Sequence, residues 1–388
     1  MIYNRVMQEM EDRKLYLYNV YAPFYICSYA MHHMNLLNRK IDIITGKREA
    51  VYWEAGDIPE LREHNLFISP SGFMKTTYLR AFNSIFKSSG TDMVFKSGMT
   101  ESALVGSVTT NRDGEQIPHF GIAEIHANDI IMIDEFTTIT GSTRAVYNAT
   151  LISRLLEILD GGHISKDLAA GGRTYDTFLT LWAGIQPSHY EGASGLFRRF
   201  CPLIFLPTRY DNTAMLQMKQ QMSNIRENET NINSISTSVV NWKEKFNSIE
   251  SIEFATEVYS LHQELNLFQF ETNVFNNLLL GYHLAKYGPE PHIKVEAHDN
   301  EILRLIGLFR DWKRLLLDDI DSVMICKIIK SIVQRDKDSR LITSRRLIAD
   351  ECKMISWGRK DVFAKLKCIE SDGDIRIVGD TVQWTGVQ

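Results

Sequence analysis

A lysine-containing loop directly after a short apolar run is the feature that most constrains the fold of this chain. The apolar run is residues 65–68, and the loop reads Ser-Pro-Ser-Gly-Phe-Met-Lys-Thr at residues 69–76. A strand that delivers the chain, a wrap of backbone N–H groups and a helix N-terminus together make an anion site. We therefore predict a nucleotide site with Lys75 on the β- and γ-phosphates. The residues predicted to contact the nucleotide are Ser69, Pro70, Ser71, Gly72, Phe73, Met74, Lys75, Thr76 and Thr77.

Two positions of the loop depart from the common pattern G-x-x-x-x-G-K-[ST]. Ser69 stands at the first glycine and Met74 at the glycine before the lysine, whereas Gly72 in the middle of the loop is retained. The alternative interpretation is an ordinary strand, turn and helix without a ligand. A second motif elsewhere in the chain is needed to decide between the two.

The second motif is an apolar run that ends in two carboxylates. Four consecutive apolar residues, 130–133, are typical of a parallel strand buried on both faces. Asp134 and Glu135 follow at the strand end, where open α/β sheets place their ligands. We expect Asp134 and the Thr76 hydroxyl to hold Mg²⁺, and Glu135 to polarise the water that attacks the γ-phosphate of ATP. The alternative is a buried strand followed by a solvated acidic turn, but the two motifs in this order favour ATP binding and hydrolysis.

Length and composition limit the class of protein. The chain has 388 residues, enough for two or three domains. Its net charge of −5 argues against coating nucleic acid through bulk charge, so any such contact must be local. The five cysteines are scattered without C-x-x-C spacing, which predicts free thiols in a reducing cytoplasm. The apolar segment at residues 16–31 is interrupted by polar residues and lacks the ~20 apolar residues of a membrane span.

The pattern along the chain predicts an α/β protein with five regions. These are a short N-terminal helical segment (1–55), a core with a parallel sheet covered by helices (56–210), a polar connection (211–248), a small all-α lid (249–334) and a C-terminal winged-helix domain (335–388). Strand candidates in the core, which alternate with helices, are residues 66–68, 93–95, 129–133, 178–183 and 203–206. The lid is predicted as three helices at 250–265, 271–287 and 299–333. The connection is predicted as a helix followed by a mobile segment, with residues 223–238 especially polar.

Two hairpins are predicted within the core. Residues 114–126 alternate apolar and polar side chains, which favours a hairpin that projects from the core. A helix at 145–159 closes on glycine and leads into two short strands around residues 167–171. Lys166 lies near the tip of this second hairpin.

The C-terminal residues have the element order of a winged helix. Two helices, 341–350 and 358–369, precede a hairpin formed by 375–378 and 382–384. On the second helix, Arg359, Lys360 and Lys365 are candidates for contacts with DNA phosphates. Acidic residues are interspersed almost equally, so a protein-docking or solvated face is the alternative.

With these motifs in place, the chain resembles the minichromosome maintenance (MCM) helicases, which are ring-forming AAA+ ATPases that unwind DNA. The family's loop, G-D-P-G-x-A-K-S, also lacks the glycine before the lysine, where this chain has Met74. The family continues with an inserted hairpin, a strand ending D-E-F and a hairpin carrying S-x-x-K. Residues 134–136 and 164–166 stand in the last two places. The resemblance covers about residues 55–210, the lid loosely, and fits the terminal winged helix.

The resemblance implies a P-loop AAA+ core and assigns further residues. Gln186 matches the family's sensor asparagine in position, and Arg199 corresponds to the arginine finger that one subunit inserts into the site of its neighbour. Arg198 competes for that role. Lys166 would lie in the central channel and contact one DNA phosphate at a time. The implied assembly is a homo-hexamer with single-stranded DNA in its pore and duplex DNA at the winged helix.

Several positions depart from the family pattern. Cys201 replaces the family's aspartate, and the lid arginine has only Arg304 and Arg310 as weak substitutes. The first 55 residues are too few for the family's N-terminal DNA-clamping region. We therefore expect a motor reduced to its ATPase ring and winged helix.

The leading hypothesis is an ATP-driven, ring-forming DNA helicase or translocase acting in DNA replication. Two alternatives stay open. An ATP-switched origin-binding initiator shares the order of ATPase, lid and winged helix, but such proteins lack the two inserted hairpins. An AAA+ remodeller of a protein complex would show ATPase activity that is indifferent to DNA.

Overall fold

A five-stranded parallel sheet forms the centre of the protein, whose structure is a computed structural model. The structure describes residues 2–38, 52–53, 61–87, 93–96, 100–111, 113–136, 146–160, 162–168, 171–190, 195–207, 211, 213–217, 229–317, 320–335, 342–352, 359–371 and 373–385. The α-helices in these ranges are α1 (Ile2–Asp12), α2 (Tyr18–Asn38), α3 (Lys75–Lys87), α4 (Glu101–Val105), α5 (Ile122–Ile125), α6 (Val146–Asp160), α7 (Glu229–Lys245), α8 (Thr256–Glu264), α9 (Gln269–Lys286), α10 (Asn300–Leu317), α11 (Ile320–Arg335), α12 (Arg345–Cys352) and α13 (Arg359–Ser371). The strands are β1 (Tyr52–Trp53), β2 (His64–Ile68), β3 (Met93–Lys96), β4 (Ser107–Thr110), β5 (Gln116–His119), β6 (Ile130–Ile133), β7 (His163–Leu168), β8 (Gly171–Asp176), β9 (Thr180–Ile185), β10 (Phe200–Ile204), β11 (Ser251–Phe254), β12 (His292–Val295), β13 (Ile342–Ser344), β14 (Ile375–Val378) and β15 (Thr381–Trp384).

The central sheet has the order β10-β2-β9-β6-β3, and every neighbouring pair is parallel. All residues of β2, β6, β9 and β10 are buried, as in parallel strands covered on both faces. This confirms the α/β class and the parallel sheet predicted for the core. The last strand begins earlier than predicted and includes Pro202, which is tolerated because β10 is an edge strand that need not donate every ladder hydrogen bond.

The helices of the first 55 residues pack onto the central sheet. Helix α2 contacts α9, and the Tyr25 ring lies 4.9 Å from the rings of both Phe82 and Trp182. The Ser28 hydroxyl accepts a hydrogen bond from the Trp182 indole at 2.7 Å. The helices α1 and α2 of the predicted helical segment are therefore present and cover the core, whereas Tyr52–Trp53 near its end form strand β1. Among the described residues, no helix has the length and apolarity needed to cross a membrane.

Two antiparallel hairpins leave the core. Strands β7 and β8 pair with Lys166 opposite Arg173, which confirms the second predicted hairpin. The first hairpin is shifted from its predicted position, because its arms are β4 and β5 and residues 122–125 form the short helix α5. Gly121 lies at the change from strand to helix, where a Cβ atom would come within 2.3 Å of the Gly106 nitrogen. The backbone at Gly121 therefore packs closely against residues 104–106, and the chain turns there from β5 into α5.

The predicted all-α lid contains strands. Strands β11 and β12 are parallel, and β1 joins β11 to complete a second three-stranded sheet. Their alternating burial, with Ile252, Ile293 and Val295 inside, is the period-two pattern of a strand. Strand β11 lies within the helix predicted at 250–265, and β12 lies between two predicted helices. The single helix predicted at 299–333 is instead two, α10 and α11. The all-α prediction for this region is wrong.

The polar connection is helical where it is described. Helix α7 occupies residues that were predicted to belong to a mobile segment, and residues 223–228 of that segment lie outside the described ranges. Ile235, Val239, Trp242 and Phe246 recur at three- and four-residue spacing and are buried. This apolar stripe stabilises the helix although the intervening residues are polar.

The C-terminal residues form a module of two helices and a three-stranded antiparallel sheet. Helices α12 and α13 precede the hairpin β14–β15, as predicted, but residues 342–344, predicted as the start of the first helix, form β13, which adds a third strand in the order β13-β15-β14. Val362, Leu366 and Ile369 of α13 are buried. Helix α11 packs against both helices of the module and thereby joins it to the rest of the protein.

Candidate nucleotide-binding site

The loop at residues 69–74 connects the buried strand β2 to helix α3, which begins at Lys75. Two loop residues have a positive φ, Gly72 at 81° and Met74 at 54°. The left-handed conformation costs a non-glycine residue about 1–2 kcal/mol. The loop therefore has a glycine-type backbone at the position where the common pattern places glycine. Met74 adopts it while its side chain is buried.

Ser69, at the other departure from the pattern, closes the loop from inside. Its buried hydroxyl donates a hydrogen bond to the Phe73 carbonyl at 2.8 Å. Its backbone N–H donates to the Ile185 carbonyl at 3.0 Å, which ties the start of the loop to β9. The serine thus links the first and fifth residues of the loop, a role that the sequence did not reveal.

The Lys75 ammonium group lies beneath the loop. Its Nζ donates hydrogen bonds to the carbonyls of Ser69 and Pro70 at 2.7 and 2.8 Å, and the residue is 6% exposed. Burial lowers the pKa of Lys75 to about 8, although the Asp134 and Glu135 carboxylates oppose this shift. A cation held this way at the start of a helix is suited to an anionic ligand on the loop.

The Thr76 hydroxyl meets the acidic strand end. Its Oγ1 lies 2.6 and 2.7 Å from the two carboxylate oxygens of Asp134. Glu135 is exposed directly after Asp134, and the buried Phe136 donates its N–H to the Gly184 carbonyl at 2.7 Å. Hydroxyl and carboxylate oxygens are the ligands that Mg²⁺ prefers, so the donor set fits this ion.

Gly184 is a site residue that the sequence prediction missed. A Cβ atom there would lie 2.6 Å from the Asp134 carbonyl oxygen and 2.9 Å from Cδ of Lys75. Only glycine lets β9 pass between the lysine and the aspartate. A glycine inside an otherwise apolar strand marks such a close approach and is the signal that was available in the sequence.

Gln186 completes the group of residues at the carboxyl edge of the sheet. It follows β9, which lies between β2 and β6, and it is half-buried. Its carbonyl accepts a hydrogen bond from the His189 N–H at 3.0 Å in a short 3₁₀ turn. The loop, the acidic strand end and Gln186 therefore share one edge of the sheet, as predicted.

The arginine pair lies at the opposite edge. Arg198 and Arg199 directly precede β10, whose first residue is in register with His64 at the start of β2. The loop begins beyond the far end of β2, about 20 Å away along the strands. This separation exceeds the reach of an arginine side chain several-fold, so neither arginine can serve the loop of its own chain.

The candidate DNA-binding residues lie on the second hairpin and the C-terminal module. Lys166 is in β7, two residues from the end of the strand. On α13, Lys360 is exposed, Lys365 is half-buried and Arg359 donates a hydrogen bond to Asp350 at 3.2 Å. Because Arg359 is paired with Asp350, part of the positive charge of α13 is neutralised within the chain. Contact between α13 and DNA stays a prediction.

A cavity of about 830 Å³ lies between the core, helices α10 and α11 and the C-terminal module. Leu206 lines it, and the preceding residue, Phe205, packs 6.1 Å from Phe73 of the loop. The rings of Tyr21 and Trp312 also line the cavity and stack at 5.7 Å with an interplanar angle of 4°. No residue of 69–77 lines this cavity, and Phe205 is the link between its wall and the loop.

Comparison with known proteins does not place the chain in a family. No model of a known protein family matches it, and no curated protein is similar to it in sequence.

Proposed function

We propose that the protein binds ATP with Mg²⁺ at residues 69–77 and hydrolyses it. The observation that carries this proposal is the contact between Thr76 and Asp134, which joins the two sequence motifs beside the buried cation of Lys75. A structural loop would not need a buried lysine, a left-handed backbone and an acidic strand end at one edge. An NTP site needs all three.

Each residue has a distinct task in the proposed reaction. Lys75 neutralises the β- and γ-phosphates, and the loop N–H groups bind their oxygens. The Thr76 hydroxyl and the Asp134 carboxylate would hold Mg²⁺, and the ion would supply positive charge beside the transferring phosphoryl group. The exposed Glu135 accepts a proton from the attacking water, and the Gln186 amide orients that water.

The base and ribose of the nucleotide occupy the adjacent cavity. Its volume, about 830 Å³, lies within the usual range for a small-molecule binding site. The aromatic rings of Tyr21 and Trp312 offer an apolar wall to a planar base. Phe205 and Phe73 connect this wall to the phosphate loop.

We further propose that the ATPase is an AAA+ core of MCM type within a ring that moves DNA. Since Arg198 and Arg199 cannot reach the loop of their own chain, either of them could act on ATP only in the site of a neighbouring subunit. The hairpin β7–β8 with Lys166 supports a pore contact, which needs no basic surface and agrees with the net charge of −5. The C-terminal module has the element order of a winged helix, which suits a contact with duplex DNA.

A second candidate function is the remodelling of a protein complex. The first hairpin and α5 expose Ile117, Phe120 and Ile125 next to the acidic residues Asp113 and Glu115. Apolar and acidic side chains suit a protein partner better than a phosphate backbone. The presence of hairpin β4–β5 also disfavours the origin-binding initiator, whose relatives lack it.

Strand separation on a forked DNA duplex distinguishes these functions. The wild type is compared with Glu135→Gln and Lys166→Ala, with ATP hydrolysis measured in the presence and absence of DNA. The helicase proposal predicts DNA-stimulated hydrolysis and unwinding by the wild type, no hydrolysis by Glu135→Gln, and hydrolysis without unwinding by Lys166→Ala. Hydrolysis that is indifferent to DNA, without strand separation, would favour the remodeller. Equal unwinding by Lys166→Ala would refute the pore contact.

A further inference from the structure

One end of the C-terminal module lines the cavity that the proposed function assigns to the base. The lining residues of the module come from α13, the turn before β14 and the end of β15, and they are Cys368, Ile369, Asp374 and Trp384. The core and the helices α10 and α11 supply other parts of the wall. The docked module therefore completes the wall of the cavity.

Helix α11 holds the module against this cavity. It packs against both α12 and α13, and the Lys330 ammonium group lies 4.6 Å from the centre of the Trp384 ring. Trp384 is 7% exposed, so the module is closely packed there. One turn earlier on α11, the Lys327 ammonium group donates a hydrogen bond to the Leu206 carbonyl of the core at 2.6 Å. Two lysines of one helix, both of which line the cavity, therefore connect the core to Trp384.

The core side of this connection reaches the phosphate loop. Phe205, which precedes Leu206, donates its N–H to the Ile68 carbonyl at 2.9 Å, and Ile68 is the last residue before the loop. The Phe205 ring also packs 6.1 Å from the ring of Phe73 within the loop. The loop, the cavity wall and the module are thus joined by a series of direct contacts.

We infer that the C-terminal module is part of the nucleotide site, that Trp384 forms a wall for the base, and that the bound base holds the module in its docked position. This inference rests on the proposed function, and it adds the module to a site built from the loop and the acidic strand end. The ligand class follows from the wall, because an aromatic ring suits a planar heterocycle.

Binding of the base and docking of the module then favour each other. A base that contacts Trp384 binds the docked arrangement, so it shifts the module towards that arrangement. By reciprocity, release of the module weakens nucleotide binding by the same factor. The phosphates contact the loop and lack this coupling. A comparison of ligands with and without a base therefore isolates the contribution of the module.

Inorganic tripolyphosphate is a suitable ligand without a base, because it carries the phosphate chain of ATP alone. Trp384→Ala should lower the affinity for Mg–ATP about tenfold, the loss expected when a base loses an aromatic partner. Its affinity for Mg–tripolyphosphate should match that of the wild type. Trp384→Phe keeps an aromatic ring and should retain most of the ATP affinity. The control Val378→Ala, at a 62% exposed position of β14, should bind both ligands like the wild type.

A second variant fills the cavity without removing a buried side chain. Cys368 on α13 is an exposed free thiol that lines the cavity. Cys368→Trp should therefore melt with the wild type, yet its affinity for Mg–ATP should fall at least about tenfold because the indole occupies space that the base needs. Its affinity for Mg–tripolyphosphate should not change.

Alkylation of Cys368 by iodoacetamide reports on the cavity in the wild type. At an ATP concentration about ten times the Kd, about one site in eleven is free, so alkylation should slow about tenfold. Tripolyphosphate at the same saturation should leave the rate unchanged. Mass spectrometry of the peptide that contains Cys368 measures the rate.

The two ligands separate failure of this inference from failure of the proposed ATP site. Wild-type affinity for Mg–ATP in both Trp384→Ala and Cys368→Trp, or equal alkylation of Cys368 with and without ATP, would overturn the inference while the ATP site stands. Equal losses of affinity for ATP and tripolyphosphate in both variants would give Trp384 a structural role and also overturn it. A wild type that binds neither ligand would refute the proposed ATP site, and this inference with it.

Discussion

The Thr76 hydroxyl lies within 2.7 Å of both carboxylate oxygens of Asp134, although 58 positions separate the two residues in the chain. Thr76 is in the first turn of α3, and Asp134 follows the last residue of β6. A single strand, β9, separates β2 from β6 in the sheet. The parallel order therefore brings together the two motifs on which the proposed ATP site depends.

Replacement of Thr76 by valine should uncouple ATP binding from Mg²⁺. Valine keeps the shape of the side chain but removes the hydroxyl, so affinity for ATP in Mg²⁺ should fall at least about tenfold. Affinity in the presence of a chelator should change little. The free protein should also lose about 1 kcal/mol of unfolding free energy, since the lost hydrogen bond joins a charged group at a partly exposed site. Titration with a fluorescent ATP analogue measures the first effect, with the exposed Thr381→Val as control.

The pH dependence of ATP binding should follow Lys75. Its pKa is lowered to about 8 by burial, so the free protein loses the loop cation as the pH rises above that value. Affinity for ATP should then weaken by about tenfold for each further pH unit. Lys75→Arg keeps its charge and should bind more weakly but without this dependence. Constant wild-type affinity between about pH 7.5 and 9.5 would show that Lys75 does not titrate in this way.

Gly184→Ala should disrupt the site from within the sheet. The added methyl group would clash with the backbone of Asp134 and the stem of Lys75. We expect lower stability, by about 1–3 kcal/mol, and a loss of ATP affinity. Gly307→Ala is the control, because a Cβ atom there meets nothing within 4 Å and a helical alanine should stabilise α10. Urea denaturation and ATP titration of both variants test this, and normal ATP affinity in Gly184→Ala would contradict the close packing.

Glu63 should make stability depend on pH without affecting the ATP site. Burial raises the pKa of this carboxyl well above its usual value, and the neighbouring Cys201 thiol offsets the shift only in part. Because the unfolded chain ionises near pH 4.3, folding above that pH must take up a proton. Stability is then highest below the unfolded pKa and falls by about 1.4 kcal/mol per pH unit until the raised folded-state pKa is reached.

Glu63→Gln removes this proton uptake. Its advantage over the wild type in urea denaturation should grow as the pH rises from about 5 to 7. The exposed Glu253→Gln is the matched control and should leave the pH slope unchanged. Parallel pH profiles for wild type and Glu63→Gln would show that Glu63 is not protonated in the folded protein.

The sequence predicted those parts of the site that follow from local pattern. The apolar run 130–133 has no alternation, so a buried strand with acidic residues at its end could be inferred. The lysine loop predicted that a helix follows the strand, and α3 begins at Lys75. The role of Gly184 depended on how closely β9 passes Lys75, which is a tertiary distance that no spacing in the sequence encodes.

The errors in the predicted secondary structure also arise where local sequence carries little signal. The strand β11 is four residues long and lies next to a helix, so its weak alternation was absorbed into a helical pattern. Its partner β12 is about forty positions away, and pairing over that distance has no local signal. Helix α7 was missed because its apolar stripe is narrow and polar residues dominate its composition.

The central claim is that residues 69–77 and the acidic strand end form one ATP-hydrolysing site. Measuring Mg–ATP affinity and phosphate release for the wild type, Lys75→Ala and Glu135→Gln tests it most directly. The proposed site predicts binding and turnover by the wild type, no detectable binding by Lys75→Ala, and near-normal binding by Glu135→Gln with turnover reduced at least about 100-fold. A wild type that does not bind Mg–ATP, or a Glu135→Gln variant that turns over at the wild-type rate, would contradict it.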